Sequence, residues 1–591
     1  PEERGRMMYT AAGHAARTRK ASGGNPIPFP IRWGGWEFDL MLNGKRFKLR
    51  PEKGDHKWMY VCDTGSFYQS SLLVAINPKS WPEPICNLDE YRTVKAGKED
   101  RGRVTIEYGT PVDPDTILYN ALENELLSRL MDRTNTGFVA MGLKLTRLQW
   151  FGPGQPAQQW LKQVAVDHSG EKCREAGPDW AFEAAQGSYF GGWFEIMAHG
   201  HIPGPTYEYD INSAYPHVIA GLPCLLHGTW SRGDGAPPRR KSAYRLVRAT
   251  IKGSDPFIGP MAHRTPKGRV LRPWHTGGWY WQHELEASKR TGLIDTIKWH
   301  EWVEYQPCPC EPPFAAIADL YDHRIAVGKD TPQGKASKLV YNSSYGKFAQ
   351  SIGNPYFGNA VYASLITAGT RTAILDAIAT HPQGSAACIM VATDGVYFTS
   401  PHPNLPLDDT RLGAWGEKVK QNMTLFKPGV YWDDAARDAA EVKLKSRGIN
   451  ARQLAKILPD VDALWDWFAP TADHEQWPSF RLDVPFGVVT PKQALGRGKW
   501  DTCGRILTDG KTFQSSAPHS KRAPCGPSVL PDDLLRSRPH DNAEWNNSTP
   551  YSKKFGRTIF GDETMFAGDH PSLPDTDDAT MLFLEILKAE S

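Results

Sequence analysis

The sequence predicts a mixed α/β protein that is divided into several domains. A chain of 591 residues is too long to fold around a single hydrophobic core. Short stretches near the N-terminus alternate apolar and polar residues, which is typical of strands, whereas leucines that recur every four residues predict an amphipathic helix. With 40% hydrophobic residues and 21 tryptophans the cores should be well packed, and no apolar run is long enough to predict a membrane span.

Charge and cysteine content narrow the class of protein. The formal net charge is only +3, so a nucleic-acid-binding surface would have to come from local clusters of lysine and arginine. The nine cysteines are scattered and odd in number, and no secretory signal is visible, which predicts a reduced, cytoplasmic protein. Cys308 and Cys310 form the only close pair of cysteines, and without a second pair nearby a zinc site is not expected.

The N-terminal part reads as an arm, strands and a helix. Residues 1–35 are rich in glycine, proline, arginine and lysine and lack periodicity, which predicts an extended arm. Strands are predicted at residues 36–39, 47–49 and 59–61. A helix is predicted over residues 116–133, with a stripe formed by Leu118, Leu122, Leu126 and Leu130.

The central part combines a helical hairpin with strands. A strand is predicted at residues 206–211, and a further helix at residues 362–380. A hairpin of strands follows, with Asp394 at its turn, where Gly395 is expected to adopt a positive φ. The hairpin helices are predicted at residues 314–327 and 335–350, and the hairpin strands at 387–391 and 396–398. From about residue 426 the sequence becomes basic, aromatic and proline-rich.

One of these helices carries a chemically distinctive face. In residues 338–346, Lys338, Asn342 and Tyr345 recur at spacings of four and three, so they project from one face. A cation, an amide and an aromatic ring suit a phosphate, a base edge and a stacked sugar and base. A plain amphipathic helix would explain any one of these residues, but the whole pattern K-x-x-x-N-S-x-Y-G indicates a functional motif.

Two further motifs flank this helix in the sequence. Upstream, residues 209–216 contain D-x-x-S-x-Y-P, which begins at Asp210. Downstream, residues 391–396 read Val-Ala-Thr-Asp-Gly-Val. The three motifs, in this order, resemble those of family B DNA polymerases, whose downstream motif is D-T-D-S; here Ala392 replaces the first aspartate. The resemblance covers residues 189–450 well and the two ends loosely.

The resemblance implies a right-hand polymerase with palm, fingers and thumb, preceded by a ribonuclease-H-like exonuclease-type domain. The expected divisions are residues 1–185 for the arm and exonuclease-like domain, 186–310 and 351–425 for the two parts of the palm, 311–350 for the fingers and 426–591 for the thumb and C-terminal region.

The resemblance also implies a two-metal site for nucleotidyl transfer. Asp210 and Asp394 would hold two Mg²⁺ ions, for which Mn²⁺ could substitute, and the Ile211 carbonyl would be a further ligand. In the family the second aspartate of D-T-D is the metal ligand, so the change to Ala392 is compatible with activity.

Residues that bind the incoming nucleotide follow from the same resemblance. Lys338 is the main candidate for neutralising the triphosphate, together with Lys335 and Arg324. The Tyr215 ring would exclude a 2′-hydroxyl, and Asn342 and Tyr345 would pack against the nascent pair and the template base.

DNA contacts are expected in three places. Tyr189, Gly191 and Gly192 resemble the Y-x-G-G hinge of protein-primed phage polymerases, where aromatic and glycine residues meet a DNA strand. Gly346 ends the motif of the fingers helix. The thumb would grip duplex backbone through basic residues, namely Lys443, Lys445, Arg447, Lys521 and Arg522.

The exonuclease site looks eroded. Its remnants would be Asp39, Asp63, Tyr119 and Glu123, but the first 185 residues contain no D-x-E motif. Glu37 and Asp39 have that spacing in reverse order and could share one face of a strand. Weak or absent proofreading is therefore expected.

These resemblances imply a DNA-templated DNA polymerase that replicates a phage, plasmid or mobile-element genome. Its partners would be primer–template DNA, dNTPs and a terminal protein or another priming factor, without a membrane. Asn342 and Asp394 are only 52 residues apart, which leaves little room for the insertion that makes protein-primed enzymes processive. Two alternatives stay open: a primer-independent family B polymerase, and a catalytically degenerate polymerase that serves as a DNA-binding scaffold.

Overall fold

The fold is taken from a computed structural model of the chain. The structure describes residues 31–33, 36–40, 46–62, 72–101, 114–146, 149–150, 152–238, 240, 243–264, 270–350, 355–427, 429–433, 445–446, 479–488, 506–514, 522–524 and 535–539. Asp63, Lys443, Arg447 and Lys521, all predicted to be functional, lie outside these residues.

The described N-terminal region begins with a four-stranded antiparallel sheet of consecutive strands. Its strands are β1 (Ile31–Trp33), β2 (Trp36–Leu40), β3 (Arg46–Pro51) and β4 (Met59–Cys62). The three predicted strands are thus confirmed, whereas β1 occupies part of the stretch that was expected to be an extended arm. Helices follow, namely α1 (Leu72–Ala75), α2 (Leu88–Arg101) and α3 (Pro114–Ala140), with a 3₁₀ turn at Pro78–Ser80.

Helix α3 confirms the helix predicted in this region and extends it at both ends. Leu126 and Leu130 are fully buried against α1 and α2. Leu118 is 67% exposed, so the predicted leucine stripe is wrong at its first position. Tyr119 is buried there instead, because the buried face of α3 is turned by one residue at this end.

Three helices connect this region to the central sheet. They are α4 (Gly154–Ala165), α5 (Gly170–Glu175) and α6 (Asp179–Gly187). Helices α4 and α6 bury Leu161 and Phe182 in the largest hydrophobic cluster of the described residues.

The chain then builds the first part of the palm. Strand β6 ends in the first predicted motif, and it is longer than the predicted strand because it extends eight residues further towards the N-terminus. The elements are β5 (Trp193–Ile196), β6 (Ala198–Ile211), α7 (Ala214–Ala220), β7 (Thr229–Asp234), β8 (Tyr244–Gly253), β9 (His263–Arg264), β10 (Val270–Leu271), β11 (His275–Trp281), α8 (Gln282–Arg290) and β12 (Ile294–Gln306). Four of them form an antiparallel sheet in the order β11-β8-β12-β7.

The predicted helical hairpin is confirmed as α9 (Ala316–Val327) and α10 (Pro332–Phe348). Thr331 caps α10 because its hydroxyl accepts a hydrogen bond from the Gly334 amide, and Pro332 occupies the first turn. Helix α10 packs on α3 and α4. At Gly137 the helices approach so closely that an added Cβ would collide with the Pro332 carbonyl oxygen. The N-terminal helices therefore support the back of the fingers hairpin.

The second part of the palm completes the central sheet. Its elements are α11 (Ala360–Thr380), a 3₁₀ turn at Gly384–Ala386, β13 (Cys388–Thr393), β14 (Gly395–Phe398), β15 (Trp415–Lys427), β16 (Val430–Trp432) and β17 (Lys445–Ser446). The strands run in the order β17-β16-β15-β6-β14-β13-β5, all antiparallel. Helix α11 buries Ile374, Leu375 and Ile378 against this sheet, which fixes the strand ends that carry the motifs.

The C-terminal residues that the structure describes are strands. They are β18 (Ser479–Val488), β19 (Ile506–Gln514), β20 (Arg522–Pro524) and β21 (Leu535–Pro539). Arg522 is buried, and its guanidinium lies 2.8 Å from the Glu195 carboxylate of β5, so its predicted role in gripping duplex DNA is wrong. None of the helices in the described part of the chain combines the length and apolar character that a bilayer crossing requires.

Candidate active site

Asp210 lies at the end of β6, between two glycines of the neighbouring strands. The register places Gly395 of β14 opposite it on one side and Gly416 of β15 on the other. A Cβ atom on Gly395 would lie 3.4 Å from Asp210 Oδ1, so any larger side chain there would fill the space beside the carboxylate. On the other side, a Cβ atom on Gly416 would lie 3.1 Å from the Asp409 carboxylate, so only the Gly395 side leaves space beside the Asp210 side chain.

Asp394 lies in the turn between β13 and β14, beside Asp210. Ala392 pairs with Gly395, so Thr393 and Asp394 alone form the turn. The Asp394 carbonyl oxygen accepts a hydrogen bond of 2.9 Å from the Ile211 amide. Asp210 and Asp394 therefore lie at the ends of adjacent strands, as the motif order predicted.

The backbone at this turn is strained, but not where the sequence indicated. Thr393 has φ +66°, an unfavourable value for a β-branched residue, whereas Gly395 lies in regular strand conformation. The prediction of a positive φ at Gly395 is wrong, because Thr393 adopts the positive φ of this turn. The missing side chain of Gly395 instead leaves space beside Asp210 Oδ1. Ser213, between Asp210 and α7, has φ +52°. Two of the three non-glycine residues with positive φ in the described residues thus flank the carboxylates.

Asp394 lies in a low-dielectric environment. It is half-buried, and burial raises the pKa of its carboxyl group to about 6, although its own backbone N–H acts in the opposite direction. Placing a carboxylate in such surroundings is costly unless a cation accompanies it. The electrostatics favour a positive ligand at this turn.

A further carboxylate on the same face was missed by the sequence analysis. Glu208 precedes Asp210 by two residues on β6, and the period of two in a strand places both side chains on one face. Lys418 and Lys420 lie 3.9 Å and 3.8 Å from its carboxylate, and Lys420 lies 3.2 Å from Asp433. The E-x-D spacing was the signal that could have identified it.

Lys338 projects from α10 in the neighbourhood of Asp210. Its side chain is exposed at the surface of the helix. Partial burial of the amine, with repulsion from Arg324 and Lys335, lowers its pKa, while Asp330 and Asp210 act in the opposite direction. The three predicted triphosphate ligands therefore form one cationic cluster on the fingers hairpin.

The other two cations of the cluster have partners within the protein. Lys335 Nζ lies 3.4 Å from Asp330 Oδ1 and 4.8 Å from the centroid of the Trp81 ring, which belongs to the N-terminal region. Arg324 Nε donates a hydrogen bond of 3.2 Å to the Gly334 carbonyl. Lys338 is the most exposed of the three, and the other two would have to leave these contacts to reach a phosphate.

Three of the predicted tyrosines form one aromatic cluster. The Tyr215 and Tyr345 ring centroids lie 4.5 Å apart, and the Tyr345 and Tyr189 hydroxyls share a hydrogen bond of 2.7 Å. Tyr345 and Tyr189 are only 3% and 4% exposed, whereas Tyr215 is half-buried. Asn342 and Gly346 are exposed on α10, in the same row as Lys338. The surface open to a ligand is therefore this row, with the tyrosines packed behind it.

A buried ion pair holds the predicted hinge in place, and sequence reasoning missed it. Arg371 of α11 forms two hydrogen bonds of 2.7 Å with Glu284. The same guanidinium donates to the carbonyls of Phe190 and Gly191 at 2.6 Å and 2.8 Å. Arg264 donates to the Tyr189 carbonyl at 2.8 Å. The donors lie far along the chain from the hinge, so no local motif could have revealed them.

The remaining predicted residues of the hinge and thumb lie beside β5 and in β17. Gly191 and Gly192 are half-buried just before β5. Lys445 lies in β17, where its backbone pairs with Tyr431.

Among the predicted exonuclease remnants, the structure describes the side chains of Tyr119 and Glu123, and for Asp39 its position in the sheet. Asp39 lies in β2, opposite Lys48 of β3. Glu37 is buried and ion-paired with Arg50 at 2.6 Å, and Glu123 of α3 is ion-paired with Lys98 at 2.6 Å. Both glutamates thus have a basic partner within their own region.

Comparison with known sequences covers two of the three motifs, those at residues 209–216 and 338–346. Residues 182–357 match the family model of DNA polymerase type B, organellar and viral. The DNA polymerase of Acidianus bottle-shaped virus is 29% identical over 283 residues, which cover 44% of this chain and 40% of that protein. The DNA-directed DNA polymerase of Enterobacteria phage PRD1 is 24% identical over 330 residues, 47% of this chain and 55% of that protein. The chain therefore spans about half the length of these relatives.

Solved structures of phi29 DNA polymerase have a similar fold. The post-translocation complex with primer-template DNA superposes with a TM-score of 0.54 at 14% identity, covering 80% of this chain and 83% of that one. The orthorhombic crystal form gives 0.52 at 13% identity, covering 85% and 89%. This likeness confirms the predicted fold class, a mixed α/β right-hand polymerase. Residues 182–357 are accordingly similar to family B DNA polymerases of the organellar and viral type, as the two motifs within them predicted.

Proposed function

We propose that this chain is a DNA-templated DNA polymerase that adds deoxynucleotides to a primer 3′-hydroxyl and replicates a phage, plasmid or mobile-element genome. The observation that carries the proposal is the position of Asp210 and Asp394 at the ends of adjacent strands, beneath a helix that presents Lys338. The named relatives are DNA polymerases, and the partner proposed for this chain is primer–template DNA.

The carboxylates have the properties that divalent cations require. Mg²⁺ prefers oxygen ligands, which Asp210, Asp394 and the Ile211 carbonyl would provide. Gly395 leaves room beside the Asp210 carboxylate, and the half-buried Asp394 gains from a positive neighbour. When bound, two such ions activate the attacking hydroxyl and stabilise the charge of the leaving pyrophosphate. Mn²⁺, a similar hard cation, would fit the same oxygen ligands.

Lys338 is proposed to bind the triphosphate. Its amine is held in a cluster with Arg324 and Lys335, whose mutual repulsion is relieved when an anion arrives. Lys335 would leave Asp330 and the Trp81 ring to contact phosphate, so nucleotide binding is expected to tighten the hairpin over the palm.

Tyr215 is proposed to select the sugar. Its ring is half-buried and packs on Tyr345, so it cannot retreat to accommodate an additional hydroxyl. Tyr345 itself is buried, so it would act on the template base only indirectly, by supporting Tyr215 and α10. Asn342 lies in the exposed row of α10 and would contact the nascent pair.

Primer-independent initiation is the second candidate, favoured by Ala392 at the end of β13, where the family has a carboxylate. Loss of that carboxylate changes the surroundings of a primer terminus without removing Asp394. A DNA-binding scaffold without catalysis is the third candidate, and the retention of Asp210, Asp394 and Lys338 argues against it.

One assay separates these candidates. The chain is incubated with Mg²⁺ and dNTPs on circular single-stranded DNA, with and without an annealed primer, and Asp210→Asn is tested beside it. Extension that requires primer and disappears in the variant is the expected result. Product without primer would favour the second candidate. No product in the presence or absence of primer would favour the third candidate, the DNA-binding scaffold. Asp376→Asn, a matched change at an exposed ion pair of α11, is the control and should extend normally.

A further inference from the structure

Four potential metal ligands from two distant segments meet at the base of the fingers. Cys224 and His227 follow α7, and Cys308 and Cys310 follow β12. One ligand atom from each residue lies within 4.8 Å of every other. A zinc site was not expected from the sequence, because Cys308 and Cys310 provide only two of the four ligands that such a site needs. The second half of the set is a C-x-x-H pair more than 80 residues upstream, which the fold brings into contact.

We propose that Cys224, His227, Cys308 and Cys310 form a structural zinc site. Zinc prefers four ligands of thiolate and imidazole type, and one histidine with three cysteines is a common set for closed structural sites. With bonds of about 2.3 Å to sulfur and about 2.0 Å to nitrogen, ligand atoms on a tetrahedron lie about 3.5–3.8 Å apart.

Two of the six separations between ligand atoms are those of a tetrahedron, and none of the six exceeds 4.8 Å. His227 Nδ1 lies 3.5 Å from Cys224 Sγ and 3.4 Å from Cys310 Sγ. The four ligand atoms are thus nearly in place, and only small side-chain adjustments would close the site around an ion.

One side of the site is held by hydrogen bonds within the protein, and the other side is open to solvent. The hydroxyl of Tyr305 donates to the Cys224 carbonyl and accepts a hydrogen bond of 3.0 Å from the Gly228 amide. The Tyr362 hydroxyl donates to the Pro223 carbonyl at 3.0 Å. Cys224 is buried, whereas His227 and Cys310 are exposed, so an ion can enter from solvent.

His168 supports the buried ligand from outside the set. Its Nε2 lies 3.3 Å from Cys224 Sγ, and its ring packs against Phe314. Ligand thiolates in zinc sites are commonly hydrogen-bonded by such neighbours, which orient them and moderate their charge. His168 is therefore a positioning residue, and its replacement should weaken zinc binding less than loss of a ligand.

The site would fasten two functional segments to each other. Cys224 lies shortly after α7, which begins beside Asp210, and Cys310 lies shortly before α9 of the fingers hairpin. A bound ion would fix the end of the palm segment to the start of the fingers. Its role would be structural, because the ion has all four positions filled by protein and none open to substrate.

The test measures metal directly and does not depend on polymerase activity. The full chain, freed of any affinity tag and passed through gel filtration, is analysed for zinc by elemental mass spectrometry. We expect about one zinc per chain in the wild type and a loss of most of it in Cys310→Ser and in His227→Gln. Both altered residues are exposed, so the variants should fold. Cys86→Ala, which removes a cysteine of the N-terminal region, is the matched control and should retain zinc.

Cobalt substitution and thiol mapping complete the test. Co²⁺ in place of zinc should give the visible absorption and thiolate charge-transfer bands of a tetrahedral sulfur-rich site, and Cys310→Ser should lose them. Thermal unfolding should shift to lower temperature when zinc is removed from the wild type and should not shift in His227→Gln. The proposal would be overturned if the wild-type protein retained neither zinc nor cobalt. It would also be overturned by a disulfide between any two of these cysteines in protein freshly purified from a reducing cytoplasm.

Discussion

The two carboxylates of the candidate site and two glutamates of the N-terminal region are placed in opposite ways. Glu37 and Glu123 of the N-terminal region each form a close ion pair within their own fold, at 2.6 Å. In the palm, Asp210 is flanked by glycines, and the half-buried Asp394 has a pKa raised to about 6 by burial. A carboxylate whose charge is matched internally stabilises structure, whereas one held at an energetic cost is available for an external cation. This difference supports the proposal that Asp210 and Asp394 are the catalytic carboxylates.

The largest expected effect is that of removing one palm carboxylate. Asp394→Asn should reduce primer extension on the order of 10³-fold, because it takes a charged ligand from the centre of the transition state. Asp39→Asn in β2 should leave extension unchanged. Single-turnover extension of a labelled primer measures both.

The control for this comparison is binding of primer–template DNA. Its affinity should stay within about twofold in both variants, since neither residue is proposed to contact the duplex. Near-normal extension by Asp394→Asn would remove that residue from the proposed site.

The second largest expected effect is on the free energy of unfolding, and it differs between an ion pair of the palm and one of the N-terminal region. Arg371→Ala in the palm should lower the free energy of unfolding by about 3–5 kcal/mol, because it leaves Glu284 buried without its partner. Arg92→Ala removes a surface pair with Asp89 and should cost about 0.5 kcal/mol or less. Urea denaturation followed by circular dichroism compares them, and equal costs would contradict the prediction.

The pH dependence of the same pair gives a check with a definite sign. Burial on its own raises the pKa of Glu284, but the charges of Arg371 and Arg272 lower it below its ordinary value. The pair therefore contributes its stability above the unfolded pKa of glutamate and loses it as the pH falls through the lowered folded pKa. Arg371→Ala should abolish this part of the acid dependence.

The third effect is on nucleotide affinity. Lys338→Ala should raise the apparent KM for all four dNTPs by about 10- to 100-fold, since a charged hydrogen bond to phosphate is lost and no base information is removed. Lys98→Ala, at the ion pair of the N-terminal region, should leave KM unchanged. A KM increase confined to one base would contradict the assignment of Lys338 to phosphate.

The fourth effect concerns the sugar. Tyr215→Ala should reduce discrimination against ribonucleotides by about 10- to 100-fold while dNTP use changes less, because a steric barrier is removed. Tyr215→Phe keeps the ring that packs on Tyr345 and should keep the discrimination. Competing incorporation of rNTP and dNTP on one template measures the ratio; equal ratios in wild type and Tyr215→Ala would make Tyr215 a packing residue.

The smallest expected effect is on excision. With a mismatched primer 3′ end, Mg²⁺ and no dNTPs, the wild-type chain should shorten the primer weakly or not at all, because Glu37 and Glu123 are already paired with basic side chains. Asp39→Ala should therefore change nothing. Rapid shortening of the primer that Asp39→Ala abolishes would show that the N-terminal region is an active exonuclease. The proposed difference between its carboxylates and those of the palm would then be wrong.

The parts of the site that the sequence predicted are those encoded locally. Asp210, Asp394 and Lys338 each belong to a short motif, and the strand or helix that carries each motif also follows from local periodicity. The fingers hairpin and the strands of the N-terminal sheet were predicted for the same reason.

The parts that could not be predicted depend on contacts between distant segments. The Arg371–Glu284 pair joins residues 87 positions apart, and the cysteine–histidine cluster combines two segments that are each too weak to indicate a metal site. Tyr345 was expected at the template from the family resemblance, but its ring packs on Tyr215 and its hydroxyl bonds that of Tyr189, which buries it. Helical spacing defines a shared face, and only tertiary packing decides which edge of that face remains open.

The close approach at Gly137 determines how the N-terminal region can evolve. This glycine of α3 lies against the Pro332 carbonyl at the start of α10, the helix that carries Lys338. The N-terminal region is thereby constrained by volume whether or not it has chemistry of its own, since any side chain at this position would collide with the start of α10. Charged residues of the N-terminal sheet can therefore be substituted while the small residues of α3 must be kept. The region would then persist as a structural support for the fingers hairpin.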